Sequence, residues 1–205
     1  MRTPTSGARS AVRLGFSLCA MVASLSLTTA TAQEFVAKPV AEKKVKHLPA
    51  GSLYWLVENF PKLGEAQAAQ GPTSLAVEVA GKVWLFTLGS ENQSTPGGKK
   101  EAEIGPLPPV CAPEYLLRIN NASRPPGART QVHTHPGCET FYVLTGQLSQ
   151  KTAHGVSHVS AGQFITGHGP DTPMEVSSSG ASDLNALVMF VVDATRPFSS
   201  PAKFE

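Results

Sequence analysis

The sequence predicts an all-β domain, and three features of the chain lead to that prediction. About eight short strand-like segments follow one another at close spacing, separated by turns rich in glycine and proline. The run Ala186–Val192 is continuously apolar, as is typical of a strand buried in a barrel or a sandwich. Between Gly127 and Gly146, two strand-like halves meet at Pro136-Gly137, which is a strong turn signal. Together these features favour a β-barrel.

The first 32 residues have the pattern of a cleavable export signal. Arg2, Arg9 and Arg13 form a basic start, and Leu14–Leu27 is an apolar core too short to span a membrane comfortably. The sequence Ala-Thr-Ala at positions 30–32 predicts cleavage after Ala32, and hence a periplasmic or secreted protein. A membrane anchor that is retained is the alternative. No stop-transfer segment follows, so we expect no stable membrane insertion.

Charge argues against a polyanionic partner. The chain has 17 basic and 15 acidic residues, but the first 32 residues contain three arginines and no acidic residue. The remaining 173 residues therefore have a formal net charge of −1. The basic character of the whole sequence belongs to the signal, so we expect no binding to nucleic acid or to an anionic membrane surface.

The exported part has the size of one domain with a substantial core. Residues 33–47 are polar and rich in lysine, and they are predicted to be a mobile arm. Residues 48–198 are predicted to form the single β-barrel domain. Alanines and other good helix formers between Pro61 and Gln70 predict a short N-terminal helix.

Strand and loop predictions follow from alternation and from turn residues. Polar or proline-rich composition predicts loops at 89–100, 106–113 and 120–127. Trp84 and Phe86 share one face of their strand and are expected in the core. The predicted strands are Leu53–Val57, Ser74–Val79, Lys82–Leu88, Tyr115–Ile119, Gln147–Lys151, Gly155–Val159 and Ala186–Val192.

The stretch around Pro136-Gly137 carries a candidate metal site. His133 and His135 are two residues apart, so they project to the same side if their segment is extended. After the turn, Glu139 begins a second strand and can return to the face that carries the imidazoles. Two imidazole nitrogens and one carboxylate oxygen suit a divalent transition metal (Mn, Fe, Zn, Ni or Cu) and leave positions open for water or a ligand.

This stretch resembles the first motif of the cupin family. It reads Gly127, five residues, His133-Thr134-His135, three residues, Glu139, six residues and Gly146, and every defining position matches. The resemblance implies a jelly-roll antiparallel β-barrel with the metal inside, and a dimer, since dimers are common in the family. A chance H-x-H on a solvated hairpin is the alternative, but the whole spaced pattern is far rarer than a bare H-x-H.

The resemblance covers residues 115–192 in pattern, which is the motif core of the predicted domain. It implies that the barrel packs around apolar side chains on several strands. Those expected to line or pack the barrel are Phe141, Val143, Phe164, Leu187 and Val191.

The second cupin motif is degenerate. Gly162 and Gly169 fit its glycines, but the expected third histidine and the asparagine are absent. Met174 follows Pro173, as the family histidine often follows a proline, and is expected to fill the vacant place as packing. His168 is the second candidate, because its two flanking glycines could bring an imidazole inward. They equally allow an exposed turn.

Three function classes remain open. The first is a metal-dependent dioxygenase or isomerase acting on a small organic molecule, phenolic or sugar-like, inside the barrel. The other two are a non-catalytic small-molecule-binding protein and a structural barrel with a vestigial metal site. The sequence identifies no catalytic general base and does not decide whether the protein is an enzyme. Cys111 and Cys138 can form a disulfide or remain two thiols.

Overall fold

The computed structural model describes Met1 and residues 37–205. The predicted signal therefore lies outside the described residues except for Met1, as do residues 33–36 of the predicted arm. Residues 37–205 are built mainly from strands, and all of their pairings are antiparallel. The predicted all-β class is confirmed.

The strands and one short helix α1 follow one another along the described chain. They are β1 (Lys38–Val45), β2 (Tyr54–Phe60), α1 (Leu63–Ala68), β3 (Ser74–Val79), β4 (Lys82–Gly89), β5 (Lys99–Ile104), β6 (Tyr115–Arg124), β7 (His133–Thr134), β8 (Gly137–Thr145), β9 (Gln147–Thr152), β10 (Gly155–Ser160), β11 (Phe164–Ile165), β12 (Glu175–Ser178), β13 (Leu184–Asp193) and β14 (Ser200–Pro201).

An N-terminal sheet has the order β3-β4-β2-β5. The predicted hairpin at Ala80-Gly81 is present, and both turn residues have positive φ, as a tight two-residue hairpin turn requires. Trp84 and Phe86 are fully buried on the inner face of this sheet, as predicted. The sheet thus contributes large aromatic surface to a core that it shares with the next layer.

A central sheet has the order β1-β6-β13-β8-β11, and both of its faces are buried. Alternate residues of β13 face opposite sides: Leu187 and Met189 pack toward the N-terminal sheet, whereas Val188 and Phe190 face the barrel interior. Because both faces of β13 are buried, its residues do not alternate between apolar and polar. This explains the continuous apolar run from which a buried strand was predicted.

A third layer closes the barrel opposite the central sheet. Its strands β10-β9-β12 form one sheet and β14-β7 another. Bridges from Arg129 to Ser177 and from His133 to Met174 join residues 129–133 to residues 174–177, so that the two sheets continue into each other. The central sheet and this layer therefore enclose an interior, as in the expected jelly roll.

The prediction of a mobile arm at 33–47 is wrong for residues 38–45. They form β1, which pairs with β6 along the edge of the central sheet. Val40, Ala41 and Val45 pack against the core, and Lys43 donates hydrogen bonds to the carbonyls of Gly71 and Ser74. A lysine-rich segment can pair in this way because its backbone forms the sheet hydrogen bonds while Lys38, Glu42 and Lys44 project to solvent.

Two predicted loops and one predicted packing residue also differ from the structure. The loop at 89–100 ends in β5, whose lysines and glutamates alternate with the buried residues Ala102 and Ile104. The loop at 120–127 is strand as far as Arg124. Phe164 is 46% exposed at the edge of the central sheet, and its neighbour Ile165 packs inward instead. The other four predicted packing residues are buried: Phe141, Val143, Leu187 and Val191.

Candidate metal centre

The histidine pair lies on β7 and in the turn that follows it. The backbone of His133 exchanges two hydrogen bonds of 2.9 Å with the backbone of Met174, which fixes β7 beside β12. The chain then turns at Pro136 and enters β8, which passes close to β13. A Cβ at Gly137 would collide with the Val191 carbonyl, so only glycine fits at this close approach.

Glu139 returns from β8 to the face that carries the two imidazoles, as the turn predicted. One donor atom from each of His133, His135 and Glu139 lies within 4.8 Å of the others. The His135 Nε2 atom is 3.9 Å from Glu139 Oε1. Ligands on one ion at about 2.1 Å lie about 3 Å or slightly more from each other. A small closing of the side chains would therefore complete a three-ligand set.

Hydrogen bonds orient both imidazoles for metal binding. Nδ1 of His133 is 2.8 Å from the Gln131 carbonyl oxygen, and Nδ1 of His135 is 2.6 Å from that of Phe198. A carbonyl oxygen only accepts, so each Nδ1 carries the hydrogen and donates it. In the neutral ring, Nε2 then keeps its lone pair. This is the arrangement by which proteins hold metal-binding histidines in the correct tautomer and direction.

Burial shifts the pKa values of two members of the cluster. Glu139 is buried, and desolvation raises the pKa of its carboxyl group to about 8. Desolvation is also the largest cause of the lowered pKa of His135, about 4, to which the charges of His133 and Arg118 add. The Glu139 Oε2 atom is buried without a hydrogen-bond partner among the described residues. A cation at the cluster would compensate the carboxylate and satisfy this oxygen, so the donor set fits a metal.

The cluster opens onto a cavity of about 740 Å³ inside the barrel. A volume of this size suits a small organic molecule. Much of its wall is apolar, and the C-terminal segment at 198–203 forms one side of it. Besides the three cluster residues, the side chains that the cavity meets include Asn120, Thr130, Phe141, Val176, Val188, Phe190, Phe198 and Lys203.

Met174 lies next to His133 but has a partner of its own. Its backbone bonds to that of His133, and its side chain is 1% exposed. The Gln150 amide donates a hydrogen bond to Met174 Sδ at 3.2 Å. Met174 is not among the described residues that line the cavity. These contacts agree with Met174 as packing, and whether a ligand at this position would reach the ion stays a prediction.

His168 is not part of the metal-capable cluster found among the described residues. It lies between Gly167 and Gly169 in the loop before β12, and its pKa is lowered by burial and by the neighbouring His154. Gly167 has a positive φ and packs against the Glu139 backbone. The glycines thus bring the loop close to β8 through the backbone, without adding the imidazole to the cluster.

Both cysteines of the described chain are free. Cys111 is exposed, and Cys138 is buried on the face of β8 opposite to Glu139. Burial raises the pKa of the Cys138 thiol to about 12, and its Sγ atom lies 3.4 Å from the Thr166 carbonyl oxygen. Cys138 is therefore a packing residue behind the metal-capable cluster, because a thiol that resists ionisation is a poor ligand.

Sequence reasoning missed two residues that shape the site. Phe198 orients His135 through its carbonyl oxygen, and backbone contacts of this kind leave no signature in residue type. Asn120 lines the cavity from β6, at a position that was expected to be loop. Its signal was available, because a polar residue at the inward period of a strand marks an interior site.

Known structures resemble this chain in part. A cupin-like protein from Thermotoga maritima is 16% identical with a TM-score of 0.39, and the match covers 43% of this chain and 65% of that one. An uncharacterised protein with a double-stranded β-helix domain from Klebsiella pneumoniae is 22% identical with a TM-score of 0.37, covering 42% and 75%. A cupin 2 domain-containing protein from Halorhodospira halophila is 15% identical with a TM-score of 0.37, covering 42% and 59%.

The chain spans less than two thirds of the length of the first two structures that it matches, 65% and 64%. No protein-family model matches the chain, and no curated protein does. Similarity at this level says nothing about a reaction or a substrate. In its antiparallel all-β fold and its first motif, the chain resembles the cupins.

The helical part of residues 37–205 is too short for a membrane span. No described helix has the length and apolar character that crossing a bilayer requires.

Proposed function

We propose that this protein binds a divalent transition metal through His133, His135 and Glu139 and acts with it on a small organic molecule in the barrel cavity. One observation carries the proposal. Two imidazoles already oriented for ligation and one buried carboxyl group with an unpaired oxygen have donor atoms within 4.8 Å of one another and open onto a cavity of about 740 Å³. A purely structural role leaves these three donors unexplained.

Two histidines and one carboxylate with open positions favour Fe(II) among the candidate metals, although Mn, Zn, Ni and Cu fit the same donors. When bound, such an ion can bind O₂ or polarise a ligand oxygen. We therefore propose a metal-dependent dioxygenase, with an isomerase as the other reaction that the same site could support.

The roles of the protein residues follow from their contacts. The carbonyls of Gln131 and Phe198 fix the two imidazoles through their Nδ1 atoms and leave both Nε2 atoms free to bind an ion. The apolar wall around Phe190 and Phe198 lowers the local dielectric constant and so strengthens electrostatic interactions inside the cavity. The C-terminal segment holds its place by pairing β14 with β7, and Arg118 lies 4.4 Å above the Phe198 ring centre. We assign it to enclosure of the bound molecule.

The test is metal analysis of the purified protein together with two single variants. His133→Ala and Glu139→Ala should each lower the affinity for the metal at least about 100-fold, because each removes a direct ligand. His154→Ala is the matched control, since His154 is an exposed histidine outside the cluster. If both variants bind Mn(II), Fe(II) and Zn(II) as the parent does, the metal proposal is wrong.

A non-catalytic binding protein is the second candidate, and one contact favours it. Where the second cupin motif usually supplies a histidine, Met174 packs against Gln150 instead. A site with three protein ligands binds metal more weakly than a site with four, and a protein that binds metal in this way need not convert a substrate. Screening the metal-loaded protein with O₂ and phenolic or sugar-like molecules separates the candidates: saturable binding without any product, under conditions that saturate the metal site, would support the binding protein.

We also propose that the protein is exported, with cleavage after Ala32. The basic start, the apolar core and the Ala-Thr-Ala site at 30–32 support this. Intact-mass measurement of protein from the native host should give an N-terminus at Gln33 or its cyclised form. A chain that retains residues 1–32 would be membrane-anchored instead.

A homodimer is proposed as well. β1 is the terminal strand of the central sheet, and terminal strands are common sites of pairing between copies. Light scattering at micromolar concentration should give twice the mass of the exported chain, and a monomer would end this proposal without affecting the fold.

A further inference from the structure

We propose that Asn120 determines ligand specificity, by selecting a neutral and mainly apolar molecule that carries a hydroxyl group remote from the metal-capable cluster. The part of this inference that concerns the metal-facing end of the ligand rests on the proposed function. The part that concerns Asn120 stands on the cavity alone.

The side chain of Asn120 is buried, faces the cavity and lacks a partner. Asn120 lies in the middle of β6, is 5% exposed, and lines the cavity together with Phe141 and Val188. Its Oδ1 atom is buried without a hydrogen-bond partner among the described residues. A buried polar atom without a partner destabilises a fold, so its presence calls for an explanation. A ligand hydroxyl can both donate to the carboxamide oxygen and accept from its nitrogen.

The neighbouring asparagine provides an internal contrast. Asn121 points to the opposite face of the same strand, and its Nδ2 atom donates to Asn185 Oδ1 at 2.7 Å and to the Ala186 carbonyl at 3.3 Å. The structure thus accounts for Asn121 by bonds within the protein. It gives Asn120 Oδ1 no such bond, and because Asn120 lines the cavity, a bound molecule can complete its bonding.

The rest of the cavity indicates the character of that molecule. Val188, Phe141 and Phe190 surround the approach to Asn120 with apolar surface. The Thr130 hydroxyl already accepts a hydrogen bond from the Val176 N–H. Among the described residues lining the cavity, Lys203 alone carries a permanent positive charge, and it is exposed. A phosphorylated ligand would therefore lack a buried cationic partner, and a multiply hydroxylated one would place most of its hydroxyls against phenylalanine and valine, since Thr130, Gln131 and Ser199 are the other neutral polar residues that line the cavity outside the cluster among the described residues.

Strand register sets the distance between Asn120 and the cluster. Asn120 pairs with Val188, which pairs with Phe141, and Glu139 precedes Phe141 by two residues on β8. Two strand spacings and one same-face repeat separate the backbones of Asn120 and Glu139 by roughly 12 Å, and their side chains converge from there. A single ring with an oxygen group at each end suits this separation: one end faces the cluster and the other faces Asn120.

Calorimetric titration of simple phenols tests the inference, first without metal. Metal-free protein should bind phenol at least about tenfold more tightly than fluorobenzene, which has the same ring but no hydroxyl donor. Asn120→Leu should abolish this preference and leave the melting temperature unchanged or higher, because it removes the unpaired amide. Asn120→Ala should show the same loss if leucine proves too large. Equal preferences in the parent and in both variants would overturn the inference.

The second arm adds Zn(II), which does not oxidise phenols. If the cluster takes one hydroxyl, hydroquinone should then bind at least about tenfold more tightly than phenol, and Asn120→Leu should remove that difference. Asn121→Ala is the control: it should lower stability but keep both preferences, because its side chain faces away from the cavity. A preference that depends on Asn120 without metal, in a protein that binds no Zn(II), would refute the metal proposal and support this one.

Discussion

The two faces of the central sheet are equally buried and chemically different. Toward the N-terminal sheet, β6, β8 and β13 present mainly apolar packed side chains such as Leu117, Tyr142 and Leu187, and Asn121 on this face is hydrogen-bonded to Asn185. Toward the barrel interior, the same strands present Asn120 and Glu139 among apolar neighbours. Successive residues of each strand point to opposite faces of the sheet, so a shift of the strand register by one residue would exchange the two faces.

This difference separates stability from function within one sheet. The face toward the N-terminal sheet behaves as an ordinary core in which apolar surfaces fill the space between two sheets. The interior face keeps buried oxygens without partners, Glu139 Oε2 and Asn120 Oδ1 among them. Unpaired buried polar groups destabilise the fold, and those that line a cavity, unlike Trp55 Nε1 in the closed core, can be completed by a bound ion or ligand. Substitutions on the two faces should therefore have opposite signatures.

The largest effect is expected on the packed face. Leu187→Ala removes a fully buried side chain between the two sheets and should lower the free energy of unfolding by about 2 to 5 kcal/mol. Metal affinity should remain that of the parent, because Leu187 points away from the cluster. Urea denaturation and metal titration of the same preparation measure both quantities. Loss of metal binding at temperatures where the variant is still folded would show that the two faces are not separable.

On the interior face, the expected signature depends on pH. In metal-free protein, burial raises the pKa of Glu139 from its ordinary 4.5 to about 8, so the folded state holds a proton that the unfolded state releases in between. Stability should therefore fall as pH rises from about 5 to 8, with a slope of up to about 1.4 kcal/mol per pH unit for this group. Glu139→Gln should remove this slope.

His135 provides the check on that assignment. Its lowered pKa, about 4, acts in the opposite direction, because stability is lost as pH falls below its ordinary 6.5. Measurements between pH 6.5 and 8, with a chelator present, isolate the carboxyl group. A parent and a Glu139→Gln variant with equal slopes in that window would show that Glu139 is ionised in the metal-free fold.

The sequence could predict those features of the fold and the site that follow from local rules. The spacing of His133, His135 and Glu139 was sufficient to predict the cluster, because strand alternation and the turn at Pro136 depend only on local sequence. The run at 186–192 was sufficient for the buried central strand. Residues 38–45 misled the prediction, since lysines say nothing about whether a sheet edge is available for the backbone. Phe198 reaches His135 across 63 residues of chain, and no local pattern encodes such a contact.

A smaller effect is expected where the second motif departs from the family pattern. Met174→His places an imidazole beside the backbone of His133 and should tighten metal binding on the order of tenfold, the scale on which neighbouring residues tune a metal site. His168→Ala should leave the affinity unchanged, because His168 lies outside the cluster. Titrations of both variants and the parent with Mn(II), Zn(II) and Cu(II) measure this. An affinity of Met174→His equal to the parent's for all three ions would mean that residue 174 does not face the site.

The smallest effect is expected at Phe164, which belongs to neither buried face. The resemblance placed it among the barrel's packing residues, but the side chain is 46% exposed, while the next residue, Ile165, packs inward. Alternation along a strand requires this: if Ile165 faces the interior, Phe164 cannot. Phe164→Ser should therefore lower the free energy of unfolding by no more than about 1 kcal/mol, because about half of the side chain is already exposed to solvent. Ile165→Ser is the matched control and should cost more, since it puts a hydroxyl against the barrel interior. Urea denaturation measures the free energy of unfolding of the two variants, and the comparison shows which side chain of β11 faces the interior. A larger loss of stability for Phe164→Ser than for Ile165→Ser would mean that Phe164, and not Ile165, faces the barrel interior.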